Sequence, residues 1–247
     1  MPKSNTYKAG RHFLQVPGST NIPDRVLRAI DAPAMDHRGP KFQDLSKSIL
    51  ERIKLIFKST DPVVIFPSAG TGAMEAALAN TLNEGDKILM FETGHFATEW
   101  CQAARRYRIN VDFVPGDWRT GADPKIVEQK LLADKNHEIK AVLVTHNETS
   151  TGIKSRVEEI RKAIDKTNHP ALFMVDTISS LGSYNYEHQK WKVDVTVGGS
   201  QKGLMCPPGL SFNAISNKAL EAYKNSKIVK SYWHWGQMLE NNKLGFY

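Results

Sequence analysis

The chain has 247 residues, of which 40% are hydrophobic and 24% charged, and its formal net charge is +7. These values fit a globular protein of one large domain, or a domain and a half, with a sizeable core. Two cysteines, Cys101 and Cys206, exclude a disulfide framework and a CxxC metal motif, and they suit a reducing compartment. Neither a membrane-length apolar run nor a secretory signal is apparent, so we expect a cytoplasmic protein without a membrane partner.

The positive charge is dispersed along the chain. A nucleic-acid-binding surface would need a dense basic run or a basic helix interleaved with aromatic residues, and the sequence has neither. We therefore expect no nucleic-acid partner. The eight histidines form no HExxH motif and no paired ligand spacing, so we also expect no metal site.

From about residue 60 onward, short apolar runs alternate with helical stretches. The predicted strands are 62–67, 86–92, 109–116, 140–148, 171–179 and 193–200, and the predicted helices are 72–82, 96–107, 124–135 and 156–167. Apolar strands separated by helices indicate an α/β fold with a mostly parallel sheet sandwiched by helices. Such sheets bind ligands beyond the carboxyl ends of their strands, so the loops that follow the strands hold the candidate site.

The loop after the first predicted strand is made of small residues that lead into a helix. These residues are Ser68, Ala69, Gly70, Thr71 and Gly72. Small residues let backbone amides approach an anion, and a helix N-terminus favours negative charge, so the loop could cradle a phosphate. The alternative is an ordinary turn in which Ser68 or Thr71 caps the helix. The spacing fits neither a P-loop nor a GxGxxG dinucleotide motif.

Two other loops supply an aromatic ring and a polar cluster. Phe96 follows the second strand and could stack on a flat ligand ring, or could instead be a core residue at a helix start. Residues 147–151, Asn-Glu-Thr-Ser-Thr, follow the fourth strand. They could position a ligand, or could form an ordinary polar loop.

The last two strands are followed by ionisable residues in apolar surroundings. Asp176 lies in an apolar run, where a carboxylate is unfavourable unless it is paired or caps the segment after the strand. Lys202 lies between glycines and a Cys-Pro-Pro-Gly turn. Partial burial would lower the pKa of this amine and make it a nucleophile, whereas a lysine that reaches solvent would stay charged.

Taken together, these loops offer a phosphate cradle, a stacking ring, polar groups, a carboxylate and an amine. Pyridoxal phosphate requires this combination. Its phosphate needs amide donors, its aldehyde needs a lysine, and its pyridine nitrogen needs a carboxylate that keeps it protonated. The pattern therefore predicts pyridoxal 5'-phosphate as the cofactor.

The sequence also resembles the class V pyridoxal-phosphate-dependent aminotransferases, and most closely their serine–glyoxylate and alanine–glyoxylate group. The resemblance is carried by SAGTGAMEAAL, THNETSTG, VDTISSLG and GGSQKGLMCPPG, and by the N-terminal segments VPGSTNIPDRVLRAI and MDHRGPKF. It extends from about residue 12 to the end of the chain. It implies the large domain of a fold type I transferase over residues 26–247, preceded by an N-terminal arm over residues 1–25.

The resemblance assigns a role to each matching position. Lys202 corresponds to the Schiff-base lysine and Asp176 to the partner of the pyridinium nitrogen. The other cofactor-binding positions are Ala69, Gly70 and Thr71 at the phosphate turn, Gln201 at a further phosphate contact, Phe96 as the stacked ring, and Thr149 or Ser150 as a positioning hydroxyl. Gly18 and Ser150 correspond to positions near the substrate.

The activity implied by the resemblance is transfer of an amino group from serine or alanine to glyoxylate, by a homodimer. Family members carry a smaller C-terminal domain with an arginine for the substrate carboxylate, and we expect this domain to be absent here. Two alternatives stay open. One is a lyase or desulfurase of the same class, although Cys206, in a Pro-Pro turn, is poorly placed as a mobile thiol. The other is a non-catalytic remnant or interaction subunit.

Overall fold

A computed structural model of the chain describes residues 13–246. The helices are α1 (Asp24–Ile30), α2 (Pro40–Phe57), α3 (Gly70–Thr81), α4 (His95–Arg106), α5 (Pro124–Ala133), α6 (Val157–Thr167), α7 (Asn217–Asn225) and α8 (Trp235–Leu244). The strands are β1 (Val63–Phe66), β2 (Lys87–Phe91), β3 (Asn110–Val114), β4 (Ile139–Thr145), β5 (Leu172–Asp176), β6 (Val195–Gly199) and β7 (Ser211–Ile215).

The seven strands form one sheet in the order β1-β7-β6-β5-β4-β2-β3. Only β7 runs antiparallel to its neighbours, β1 and β6, so the prediction of a mostly parallel sheet is confirmed. Every residue of β1, β5, β6 and β7 is buried, as expected for strands covered on both faces.

Helices cover both faces of the sheet. One apolar cluster joins the sheet to α3, α4, α7 and α8, and a second joins it to α2, α5 and α6. In α6 the buried residues Val157, Ile160, Ala163 and Ile164 recur at helical spacing, which directs one face of the helix at the sheet. In contrast, α3 is buried almost all round because its residues are small or apolar. The predicted sandwich is therefore confirmed.

The structure also contains elements that the sequence did not predict, namely α1, α2, β7, α7 and α8. The strands predicted over 140–148 and 171–179 end at Thr145 and Asp176, where polar loops begin. Residues 1–12 of the predicted N-terminal arm lie outside the described residues, and the predicted boundary at residue 25 falls within α1. Between residues 13 and 246, no helix combines the length and apolarity needed to cross a membrane.

Candidate functional site

A cleft of about 230 Å³ opens at the carboxyl edge of the parallel strands. Its walls come from the loops after β1, β4, β5 and β6, the first turns of α3 and α4, and the segment before α1. Nine predicted site residues line it: Gly18, Ala69, Gly70, Thr71, Phe96, Thr149, Asp176, Gln201 and Lys202. They come together because the carboxyl ends of parallel strands lie at one edge of the sheet.

The first turn of α3 forms one end of the cleft, and it has no local side-chain cap. Ala69 is the N-cap residue in an extended conformation, and its methyl group cannot accept a hydrogen bond. Ser68, one of the two alternative caps, bonds instead to the hydroxyl of Ser211 at 2.6 Å. Gly70 is needed for close approach, since a Cβ there would lie 2.3 Å from Cδ1 of Ile178. The amides at this helix start therefore suit an anion held in the cleft.

Lys202 lies at the centre of the site, half-buried. Its Nζ donates hydrogen bonds to Oγ1 of Thr149 at 2.7 Å and to Oγ of Ser179 at 3.0 Å, and these two hydroxyls also contact each other. The amine lies 5.1 Å from the centroid of the Phe96 ring. Burial lowers the pKa of Lys202, and the charges of Asp176 and Glu148 oppose this shift only in part. An amine with a lowered pKa is a better nucleophile and base near neutral pH.

Asp176 ends β5 with only 3% of its surface exposed. Its Oδ1 accepts a hydrogen bond from the amide of Ile178 at 2.8 Å. Burial raises the pKa of Asp176 to about 7, and the charge of Glu148 adds to the rise, whereas the Ile178 amide and Lys202 oppose it. A cationic partner in the cleft would lower this pKa and favour the carboxylate.

A second cleft, of about 460 Å³, is also lined by Lys202. Its walls include Gly18 and Thr149, which it shares with the first cleft, and Ser179, so Lys202 lines both cavities. Gln201 lines only the first cleft, and its side-chain oxygen is buried without a hydrogen-bond partner among the described residues. This oxygen is a polar group for which a ligand could supply the partner.

Ser150 is the one predicted site residue that lies outside the lining of both clefts. Its hydroxyl donates to Oε1 of Glu148 at 2.8 Å and accepts from the amide of His95 at 3.0 Å, beneath the start of α4. Of the two candidate hydroxyls, Thr149 is the one that contacts Lys202. Ser179 and Glu148 are not marked individually by the sequence, although Glu148 belongs to the polar cluster at 147–151.

The chemistry available in the site is that of an amine, a carboxyl group and an anion-binding helix start. Within residues 13–246, no cluster of three or more histidine, cysteine or acidic side chains could hold a metal ion. The nearby thiol of Cys206 is half-buried, and burial raises its pKa, which disfavours the reactive thiolate.

Comparisons with known proteins agree with this fold. The Aminotransferase class-V family profile matches residues 12–235, so the chain belongs to the class-V aminotransferase family, and the resemblance noted from the sequence is confirmed. Serine–glyoxylate aminotransferase of Methylorubrum extorquens is 45% identical over 98% of this chain and 62% of its own length. L-aspartate–glyoxylate aminotransferase of Paracoccus denitrificans is 43% identical over 88% of this chain and 55% of its own length.

Solved structures lead to the same fold. Alanine–glyoxylate aminotransferase from Nostoc sp. superposes with a TM-score of 0.85 at 26% identity, covering 97% of this chain and 63% of that one. The chain thus spans less than two thirds of the length of these relatives.

Proposed function

We propose that this protein binds pyridoxal 5'-phosphate through Lys202 and transfers an amino group from an amino acid to glyoxylate, forming glycine and a 2-oxo acid. One observation carries the proposal: a single cleft brings together the Lys202 amine, the buried carboxyl of Asp176 and the uncapped N-terminus of α3. The relatives named as glyoxylate aminotransferases support this choice of acceptor.

The residues of the cleft fit this cofactor. The amides at the start of α3, near Ala69, Gly70 and Thr71, would hold the phosphate, and the side-chain NH2 group of Gln201 would be a further donor to it. Phe96, whose ring centroid lies 5.1 Å from Nζ of Lys202, would support the cofactor ring by aromatic contact. Asp176 would pair with the pyridine nitrogen, and a proton shared there would compensate the unfavourable burial of its carboxylate.

When bound, this cofactor acts as an electron sink for the bond broken at the substrate α-carbon. Lys202 would hold the aldehyde covalently and, once an amino acid displaces it, would take the α-proton as a general base. Its lowered pKa increases the neutral fraction of the amine, which both tasks need. Thr149 and Ser179 would orient the amine, because their hydroxyls already bond to Nζ. The second cleft would admit the substrate beside Gly18.

We further propose that the protein assembles as a homodimer. Large apolar side chains are exposed on α1 and α2, among them Leu27, Ile30, Leu45 and Ile49. A second copy of the chain would cover these side chains and remove them from water. Light scattering on the purified chain would measure the mass, and a monomer at micromolar concentration would contradict the dimer.

The first experiment is to titrate the purified chain with pyridoxal phosphate while recording the absorption spectrum. Borohydride reduction followed by peptide mass spectrometry should locate the cofactor on Lys202. The variant Lys202→Ala should lose the adduct and all amino transfer, because no other residue described in the cleft carries an amine. An adduct of undiminished occupancy in Lys202→Ala would overturn the assignment.

The second experiment tests the reaction. Serine, alanine and aspartate are offered in turn with glyoxylate, and glycine and 2-oxo acid are quantified. Formation of glycine that depends on both substrates supports the proposal. Covalent binding without turnover would favour a non-catalytic remnant. Release of sulfide from cysteine would favour a desulfurase, which the half-buried Cys206 does not support.

A further inference from the structure

We propose that Glu148 is a positioning residue of this site: its buried carboxylate replaces the missing local cap of α4 and thereby fixes Phe96 beside Lys202. The proposal rests on the proposed function, because the ring of Phe96 is taken to support the cofactor. Glu148 contacts neither the ring nor the amine of Lys202 in any bond that the structure shows, so it would act through α4.

The first turn of α4 is held by residues about 50 positions further along the chain. The amide of Phe96 donates to Oε1 of Glu148 at 3.2 Å, and that of Ala97 donates to Oε2 at 3.1 Å. The amide of His95 donates to the hydroxyl of Ser150 at 3.0 Å. The N-cap residue, Gly94, has no side chain to offer. Three of the four orphan donors of this helix start are therefore satisfied by the loop after β4.

The carboxylate is itself well compensated. Glu148 is fully buried, with 0% of its surface exposed. Besides the two helix amides, the amide of Ser150 donates to Oε1 at 3.1 Å and its hydroxyl at 2.8 Å. Four donors and the positive end of a helix dipole offset the loss of hydration of this charge.

The packing leaves little freedom at this contact. A Cβ on Gly94 would lie 2.4 Å from Cγ of Glu148 and 2.6 Å from Oγ of Ser150. Glycine at this position therefore allows the carboxylate to reach the helix. Phe96 is the second residue of α4, so the position of its ring follows the position of this first turn. Loss of the cap would release the ring from its place 5.1 Å from Nζ of Lys202.

The charge of Glu148 also acts on the site, because Glu148 and Lys202 both line the second cleft and the neighbouring Thr149 bonds to Nζ of the lysine. It raises the pKa of Lys202 and that of Asp176, and it is the second carboxylate, after Asp176, to do so for the lysine. The groups that face Lys202 are these two carboxylates, the hydroxyls of Thr149 and Ser179, and the Phe96 ring. Removing the charge of Glu148 should move the titration of the lysine nitrogen to lower pH.

Two variants separate the cap from the charge. Glu148→Gln keeps the reach of the side chain and removes the charge, whereas Glu148→Asp keeps the charge but is one methylene too short for the helix amides. Hydrogen exchange of the cofactor-free chain reports the cap. We expect Glu148→Asp to exchange the Phe96 and Ala97 amides at least about tenfold faster than wild type, and Glu148→Gln to give a smaller acceleration.

The effect of the Glu148 charge is measured on the cofactor-bound protein. The readout is the pH at the midpoint of the absorbance change of the lysine-bound cofactor. Glu148→Gln should lower this midpoint by at least about 0.3 pH unit, and Glu148→Asp should leave it near the wild-type value. A residue with a purely structural role would leave the midpoint unchanged in both variants.

A matched control removes a different helix-capping carboxylate. Asp123 caps α5 by accepting from the amide of Lys125 at 2.9 Å, and it does not line either cleft around Lys202. Asp123→Ala should accelerate exchange in α5 only and leave the absorbance midpoint unchanged. Ser150→Ala is a milder test of the same cap if the Glu148 variants fold poorly, and it should accelerate exchange at His95.

If Glu148→Asp and Ser150→Ala leave the exchange rates of the first-turn amides of α4 unchanged, then Glu148 does not cap this helix. This conclusion holds whether or not the cofactor binds. Accelerated exchange with an unchanged midpoint in Glu148→Gln would overturn the role of the charge. If the wild-type chain binds no pyridoxal phosphate, the proposed function fails and the positioning role fails with it, while the exchange data still establish the cap.

Discussion

The helices α3 and α4 begin at the same edge of the sheet, and they differ in how the backbone amides of their first turns are satisfied. The start of α3 has no side-chain cap and forms a wall of the cleft. The start of α4 also lacks a local cap, but the buried carboxylate of Glu148 accepts from two of its amides. One helix dipole is thus left for a ligand, and the other is satisfied from within the protein.

The buried carboxylates of the site differ in the same sense. Glu148 has four hydrogen-bond donors around it. Asp176 accepts from the Ile178 amide, and burial raises its pKa to about 7. The α4 side is thus complete by itself, whereas the α3 side would gain stability from a ligand that brought an anion to the helix and a cation to Asp176.

The largest effect is expected from Asp176→Asn in the cofactor-free chain. Because burial raises the pKa of Asp176 from 3.8 to about 7, its contribution to stability is complete below pH 4 and is lost as the pH rises through 7. An amide of the same shape cannot ionise. At pH 8 we expect the free energy of unfolding of the variant to be higher than that of wild type, by at most about 4 kcal/mol. At pH 4 we expect no such gain.

Urea denaturation at both pH values measures this difference. Glu148→Gln should lose stability under the same conditions, because it removes an acceptor that the helix amides need. If both variants changed the free energy of unfolding in the same direction at pH 8, the two carboxylates would not differ in the way proposed here. With pyridoxal phosphate present, Asp176→Asn should lose its advantage, since the ring nitrogen would stabilise only the wild-type carboxylate.

A smaller effect is expected from giving α3 the cap that it lacks. Ala69 already has the extended backbone of an N-cap residue, and its side chain is exposed. Ala69→Asp should therefore stabilise the cofactor-free chain by about 1 kcal/mol. The same carboxylate would compete with the phosphate for the helix amides and repel it, weakening pyridoxal phosphate binding by about a hundredfold, or about 2.7 kcal/mol.

Ala69→Asn is the matched control, because asparagine caps a helix without adding charge. It should give a similar gain in stability and a smaller loss of affinity, read from the same absorbance titration. If Ala69→Asp binds the cofactor as tightly as wild type, the start of α3 is not the phosphate site.

Much of this site can be predicted from the sequence because the loops after parallel strands converge. Small residues after β1, an aspartate at the end of β5 and a lysine after β6 are each ambiguous alone, and the fold places all three in one cleft. The hydroxyl of Ser150 is expected near the ligand, whereas in the structure it faces Glu148. The direction of each side chain in a polar loop depends on the helix packed above it, which the loop sequence does not encode.

The same limit explains the elements that were not predicted. The pairing of β7 with β1 joins residues about 150 positions apart, such as Val63 and Ala214, so no local pattern marks it. Likewise no capping side chain at the N-cap marks the start of α4, since the cap is supplied by Glu148 in the loop after β4. Local patterns predict strands and helices, and distant contacts decide how their ends are completed.

The smallest effect is expected at a helix whose cap is local. Ser216 caps α7 by accepting from the amide of Ala219 at 3.1 Å, and it donates to Oδ1 of Asp194 at 2.9 Å. Because α7 follows the antiparallel strand β7, it begins at the edge of the sheet opposite the cleft. Ser216→Ala should therefore cost about 1 kcal/mol in the free energy of unfolding and leave the affinity for pyridoxal phosphate unchanged. A tenfold loss of affinity would mean that any loosened helix weakens the site, and the distinct treatment of α3 and α4 would then have no functional meaning.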